Sequence, residues 1–139
     1  MSMKMFFADN AVQAEPQDVV VSDRFLDASG RPAAWKLRAI SEELNEEIRG
    51  ASTKRTKGKG SSGVPELDYN AYLGRMVAAC VVYPDLNDAE LQQSYGVRGA
   101  SAVVRKMLLA GEFANLAAKV QEINGFDRDV SEISDEVKN

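Results

Sequence analysis

A chain of 139 residues, 45% hydrophobic and 27% charged, has enough apolar material for one self-supporting core. It contains no histidine, and Cys80 is its single cysteine. Internal disulfides, cysteine-based zinc clusters and His-dependent nucleophile systems are therefore excluded. The net charge of -4 argues against a polyanionic partner unless the basic residues cluster.

The chain opens Met1-Ser-Met-Lys-Met-Phe-Phe-Ala-Asp-Asn10, where Asp9 ends the apolar patch too early for a secretory signal. No apolar run reaches the roughly 18 residues of a membrane span, so a cytoplasmic protein is expected. Residues 18–27 begin β-branched. Over residues 33–40, Trp35, Leu37 and Ala39 alternate with Lys36 and Arg38, the pattern of a half-buried strand. Between them Asp27-Ala-Ser-Gly30 suits a turn, with Asp opening it and Gly in the left-handed place. Residues 18–40 thus read as a β-hairpin, which must pack on helices to persist.

Ser41 is placed to cap a helix over 42–49, with acidic residues in its first turn, Leu44 and Ile48 inward and Gly50 as its stop. Residues 51–63 differ in kind. They hold Lys54, Arg55, Lys57 and Lys59 among glycines, without a large apolar side chain, and read as a flexible basic loop. This loop divides a β-containing first half from a helical second half.

From Asp68 a helical period takes over. Tyr72, Leu73, Met76, Val77, Cys80 and Val81 form one stripe, and Pro84 ends that helix at Tyr83 or just before. Asn87 or Asp88 caps a short helix with Leu91 inward, and Gly96-Val-Arg-Gly99 is a turn. Ala100, Val103, Val104, Met107 and Leu108 form the next stripe, which Gly111 breaks. Phe113, Leu116, Ala117, Val120 and Ile123 form the last, closed by Gly125. Residues 127–139 are an acidic tail. The fold class expected is α+β, mainly helical, with an N-terminal β-hairpin packed beside a C-terminal helical bundle. One domain spans 1–139: hairpin and helix 18–50, basic loop 51–63, helical part 68–126, tail 127–139.

No residue set in the chain points to bond chemistry. Cys80 sits beside Met76 and Val77 on an apolar stripe and reads as a core residue. Asp23 with Asp27, or Asp85 with Asp88, could be drawn as an acid–base or Mg²⁺ pair, but Asp27 has a turn to hold and Asp88 a helix to cap. The basic loop lacks the aromatics of a single-strand binder and the Gly-x-x-x-x-Gly-Lys-[Ser/Thr] phosphate signature. A sharper rival is a helix-turn-helix-like DNA-binding module over residues 88–108, with Arg98, Arg105 and Lys106 on its second helix. Against it, the place four before the turn glycine, where a tight helix pair wants a small residue, is Gln92. Trp35 and Phe25, on either side of the hairpin turn, read as core aromatics. No catalytic, cofactor-binding or metal-ligating residue is assigned, and no cofactor is expected.

The chain resembles the XkdN-like phage tail assembly chaperones, encoded by contractile-tailed phages and prophages of Gram-positive bacteria. The resemblance rests on Phe6-Phe-Ala-Asp-Asn10, on Ser22-Asp-Arg-Phe25 followed by Gly30-Arg-Pro and Trp35-Lys-Leu-Arg-Ala-Ile40, and on Tyr83-Pro-Asp-Leu-Asn-Asp-Ala-Glu-Leu-Gln-Gln-Ser-Tyr-Gly-Val97. Met107-Leu-Leu-Ala-Gly-Glu-Phe113, Val120-Gln-Glu-Ile-Asn-Gly-Phe126 and Lys138-Asn139 complete it. It covers nearly the whole chain, the basic loop being its least diagnostic stretch. It implies a non-enzymatic factor that binds the long helical tape measure protein, keeps it soluble and helps tail tube subunits gather on it, then leaves before the virion is complete. The partners implied are the tape measure protein and secondarily the tail tube protein, with neither nucleic acid nor membrane, and homo-oligomers are compatible with it. The place of action is the cytoplasm of the bacterial host. Phe113, Leu116 and Val120, on the densest stripe, are the candidate client-binding residues.

Overall fold

A computed structural model describes residues 2–55 and 64–126. The tail 127–139 and most of the basic loop lie outside that range. A short 3-10 turn, Met3–Phe6, is capped by Ser2 and tied by Asn10, whose Nδ2 donates to the Lys4 carbonyl (2.7 Å). Strands β1 (Gln17–Val20) and β2 (Ala34–Leu37) pair antiparallel in the register Gln17–Leu37 to Val20–Ala34. The expected hairpin is present, but its ladder is interrupted after Val20–Ala34 and resumes only as an isolated bridge between Leu26 and Pro32 near the tip. At the tip, Asp27 Oδ1 accepts from Ser29 N (2.8 Å), Ser29 Oγ (2.6 Å) and Arg31 N (3.1 Å), and Gly30 takes φ +83°, the left-handed position that the turn requires. Trp35 and Leu37 point into the core while Lys36 faces solvent, as alternation predicts.

Helix α1 (Glu42–Ala51) starts at Ser41, whose Oγ accepts from Leu44 N at 3.2 Å. It runs past Gly50, which keeps helical geometry, and ends at Ser52, whose hydroxyl donates to the Ile48 carbonyl (2.7 Å). Part of the stretch expected as loop is then strand. β3 (Thr53–Arg55) pairs antiparallel with β4 (Pro65–Leu67), and Lys54 Nζ meets Asp68 Oδ2 at 3.3 Å. Composition hides such a ribbon, because the pairing is carried by backbone groups and needs no apolar face.

Helix α2 (Tyr69–Cys80) is capped by Asp68, whose Oδ1 accepts from Ala71 N (3.1 Å). It stops at Cys80, and Val81–Tyr83 forms β5 against β2, making a three-stranded sheet in the order β1-β2-β5. The helical expectation for Val81 is thereby corrected. Two adjacent valines and a tyrosine before a proline fit a pleated strand better than a last helical turn, and the free edge of β2 offers them partners. The change of form is abrupt, for Val81 N still donates to the Val77 carbonyl. The Tyr83-Pro84 peptide is cis.

Asp88 caps α3 (Ala89–Ser94), accepting from Glu90 N at 2.8 Å. Gly96 and Gly99, at φ +69° and +99°, make the turn into α4 (Ala100–Met107). Helix α5 (Ala110–Ile123) begins before Gly111, so the break falls two or three residues earlier than expected, at Leu108-Leu109. Glu112 explains the shift. Its carboxylate accepts from Leu109 N (2.8 Å), which starts the new helix there. One core joins the three-stranded sheet to α1, α2, α4 and α5. Trp35 and Leu37 of the sheet, Ile48 of α1, Met76, Val77 and Cys80 of α2, Val103 and Val104 of α4, and Leu116 and Val120 of α5 pack as one buried cluster. The fold is α+β with five helices among the described residues.

Candidate docking surface

Two of the three residues expected to meet a client are interior. Leu116 is 2% exposed and Val120 is fully enclosed. Phe113 is half-buried, and the Arg105 guanidinium lies over its ring, 4.6 Å from the centroid. The same guanidinium donates to the Asn70 carbonyl through Nη2 (2.6 Å). It reaches that carbonyl by passing over Gly74, where an added Cβ would stand 2.9 Å from Arg105 Nε. One side chain of α4 thus bridges α2 and α5, and a glycine on α2 supplies the room.

This geometry weakens the DNA-binding alternative. Arg105 is exposed but engaged by the Asn70 carbonyl and the Phe113 ring, leaving Arg98 and Lys106 as the other exposed cations of that segment. Gln92, in the place where a tight helix pair wants a small side chain, works as a staple. Its Nε2 donates to the Leu86 carbonyl (2.8 Å) and its Oε1 accepts from Gly99 N (3.0 Å). The separation of α3 from α4 is therefore held by an amide that spans the turn.

The carboxylates are also structural. Asp27 holds its turn, with its pKa lowered chiefly by the Ser29 hydroxyl. Asp85 accepts from Asn87 N, and Asp88 caps α3. Among the described residues no group of three or more Cys, Asp or Glu side chains is disposed to hold a metal ion. Cys80 is buried, and burial pushes its thiol pKa up, away from reactive thiolate.

The shortest ion pair among the described residues pins residues 21–25 to the α4–α5 junction. Arg24 Nη2 reaches Glu112 Oε1 (2.7 Å) and the Met107 carbonyl (2.8 Å). The Glu112 carboxyl is lowered to about 2, first by Arg24, then by the Ser22 hydroxyl and the Leu109 N–H. The Arg24 contact joins residues 88 apart, and no local signal announces it.

Open apolar surface lies beside the stripes. One groove, of about 340 Å³, runs along the α2–α5 seam between Leu67, Tyr69, Leu73, Met76 and Phe126, with Arg49 on its rim. Tyr69 and Phe126 are more than half exposed there. A second, of about 220 Å³, lies under the hairpin between Phe25, Trp35, Tyr83, Leu91, Tyr95 and Met107. Met3, Met5, Phe6 and Phe7 expose a third apolar surface on the N-terminal turn. Sequence periodicity missed Tyr69 and Phe126 because each sits just off a stripe or beyond its end. Tyr69 is three before Tyr72, and Phe126 follows the closing Gly125. A large apolar residue at the margin of an amphipathic run is the signal that could have found them.

This arrangement is that of a small α+β protein with no assembled reaction centre among its described residues and with open apolar grooves along its helices. The family model described as "Phage XkdN-like tail assembly chaperone protein, TAC" matches residues 3–138, and the chain belongs to that family. Among its relatives is YqbN of Bacillus subtilis (strain 168), 31% identical over 138 residues, covering 99% of this chain and 93% of the relative. The phage-like element PBSX protein XkdN of the same strain is 30% identical with the same coverage. The crystal structure of YqbN superposes with a TM-score of 0.79 at 28% identity, covering 91% of this chain and 98% of that one.

Proposed function

We propose that this protein binds the tape measure protein of a phage or prophage tail, keeps it soluble until the tube closes round it, and helps tube subunits assemble before leaving. The observation that carries the reading is the family match over nearly the whole chain. The protein acts as a single domain, without catalysis, in the cytoplasm of the bacterial host, with several copies along one client and none in the mature virion. No helix among the described residues is long and apolar enough to cross a membrane. The open groove on the α2–α5 seam supports the reading physically. An amphipathic helix laid in it would cover its own apolar face, while the acidic surface of the chaperone keeps the complex in solution.

Of the three candidate client residues, Phe113 takes the contact role, with Leu116 and Val120 as the support beneath it. The test is co-expression with the cognate tape measure protein. The client should move from the insoluble to the soluble fraction when the chaperone is present, and the two should co-purify. A client equally insoluble with and without the chaperone sinks the reading.

A further inference from the structure

Helix α5 ends in a turn whose structural demands place a reactive pair in the chain. Gly125 takes φ +82°, its N–H donates to the Glu122 carbonyl (3.0 Å), and the Phe126 N–H donates to the Gln121 carbonyl (3.0 Å). That pattern favours glycine at its left-handed position. Asn124, the residue before it, ties α5 to α2 and to the end of the hairpin. Its Oδ1 accepts from Ile40 N (2.9 Å), and its Nδ2 donates to the Val120 carbonyl (2.8 Å) and to Cys80 Sγ (3.4 Å). An ionised aspartate could not serve there, because it has no proton to donate. The two demands together produce Asn124-Gly125, the one Asn-Gly pair in the sequence.

Such a pair is chemically labile, because glycine has no side chain to shield its nitrogen from the preceding carboxamide. Gly125 N adds to Asn124 Cγ and gives up its proton, and the carboxamide nitrogen leaves with a proton as ammonia. Water then opens either carbonyl of the cyclic imide, giving aspartate or isoaspartate. The fold withholds each requirement of the first step. The Gly125 N–H is held by Glu122, and both amide atoms of Asn124 are engaged. Asn124 also sits at ψ 0°, which turns the Gly125 nitrogen away from the Cβ it must eclipse to close the ring.

We propose that Asn124-Gly125 is a deamidation site gated by the fold, inert while the last turn of α5 is closed and converted when that turn opens. Conversion is one-way, since the ammonia is lost. The product resists reclosure. A carboxylate at Asn124 sets an acceptor against the Val120 carbonyl where a donor stood, and isoaspartate adds a backbone carbon between α5 and Phe126. Phe126 stands on the wall of the α2–α5 groove, so the modified chain loses part of that wall. The site thus retires molecules that have opened at this end. Only its effect on client binding rests on the groove being the client's seat, as proposed above.

The test incubates the full chain in mildly alkaline buffer, folded and in urea, and follows Asn124 by peptide mapping that separates asparagine, aspartate and isoaspartate. Conversion should be more than about tenfold slower in the folded chain, because the turn must first open. Equal rates in the two states overturn the gate, and an unreacted Asn124 in urea overturns the site. Chain converted at Asn124 in urea is then refolded beside an unconverted control and isolated by its added negative charge. It should unfold at a lower urea concentration and label Cys80 several-fold faster than the control. Asn124→Asp, made directly, should behave in the same way. Converted chain and variant that both match the control on both measures overturn the block to reclosure. In co-purification with the tape measure protein the converted chain should retain less client. Equal retention alongside the lowered midpoint supports the site and places the client away from this groove.

Discussion

Arg24 and Glu112 show how one contact sets both local form and acid response. Glu112 ionises near 2 in the folded chain, against its ordinary 4.5, so the folded state holds the proton less well than the unfolded one. Its contribution to stability is complete above about pH 4.5 and is lost as pH falls towards 2. Glu112→Gln should therefore lower the urea midpoint at pH 7, and the gap to wild type should close as the pH is brought down through that window. A gap that stays constant to pH 2 would remove the carboxylate from the account. Tyr72 and Asn45 give a second case. The Tyr72 hydroxyl donates to Asn45 Oδ1 inside the fold, and Asn45 Nδ2 donates to Glu42 Oε1 at 2.7 Å. Tyr72→Phe leaves the buried amide oxygen without its donor and should cost about 1–3 kcal/mol in denaturant unfolding. Neither pair could be read from sequence. Asn45 follows Leu44 on a helix whose apolar positions were plain, and nothing local marks it as facing inward.

Elements were more legible than their junctions. Ser41 caps the helix expected from it, and of Asn87 and Asp88 it is Asp88 that caps α3, since a cap is a local bargain between one side chain and a free N–H. Alternation at Trp35 and Leu37 gave the correct strand face. The errors fell where tertiary partners decide. Val81 leaves the helical stripe for β2, Thr53–Arg55 finds β4, and Glu112 starts α5 before Gly111. The candidate site suffered from the same limit. Periodicity shows which residues share a face and is silent on whether that face meets solvent, so Leu116 and Val120 proved interior. Leu116→Ala should accordingly cost about 2–5 kcal/mol in unfolding free energy. Gly74 adds a test of the α2–α4 crossing. Alanine there should gain about 1 kcal/mol of helix propensity. It must also push Arg105 away from Asn70 and Phe113, so the net gain should be smaller. In an Arg105→Ala background the full gain should return, and a strictly additive pair of variants would contradict the crowding.

At the scale of the whole molecule, the family and the fold class could be read early, because short motifs in fixed order span the entire chain. Chaperone action was legible only through that resemblance. The described surface explains how such action is physically open to this fold: apolar grooves lie at the edges of a core that is itself closed. Cys80 gives a simple global check. Buried and with its thiol pKa raised, it should react with a thiol reagent only at the rate of opening, and much faster in urea. Rapid labelling of the native chain would show that the interior is looser than described.

Because α2 becomes β5 without a connecting loop, the rod and the ribbon are one mechanical piece. Pressure on the Tyr69–Met76 flank has no slack joint in which to dissipate, so it is delivered to β2 and to Trp35, the chain's single indole. A guest settling on the far flank should therefore dim or shift the fluorescence of a tryptophan it never touches.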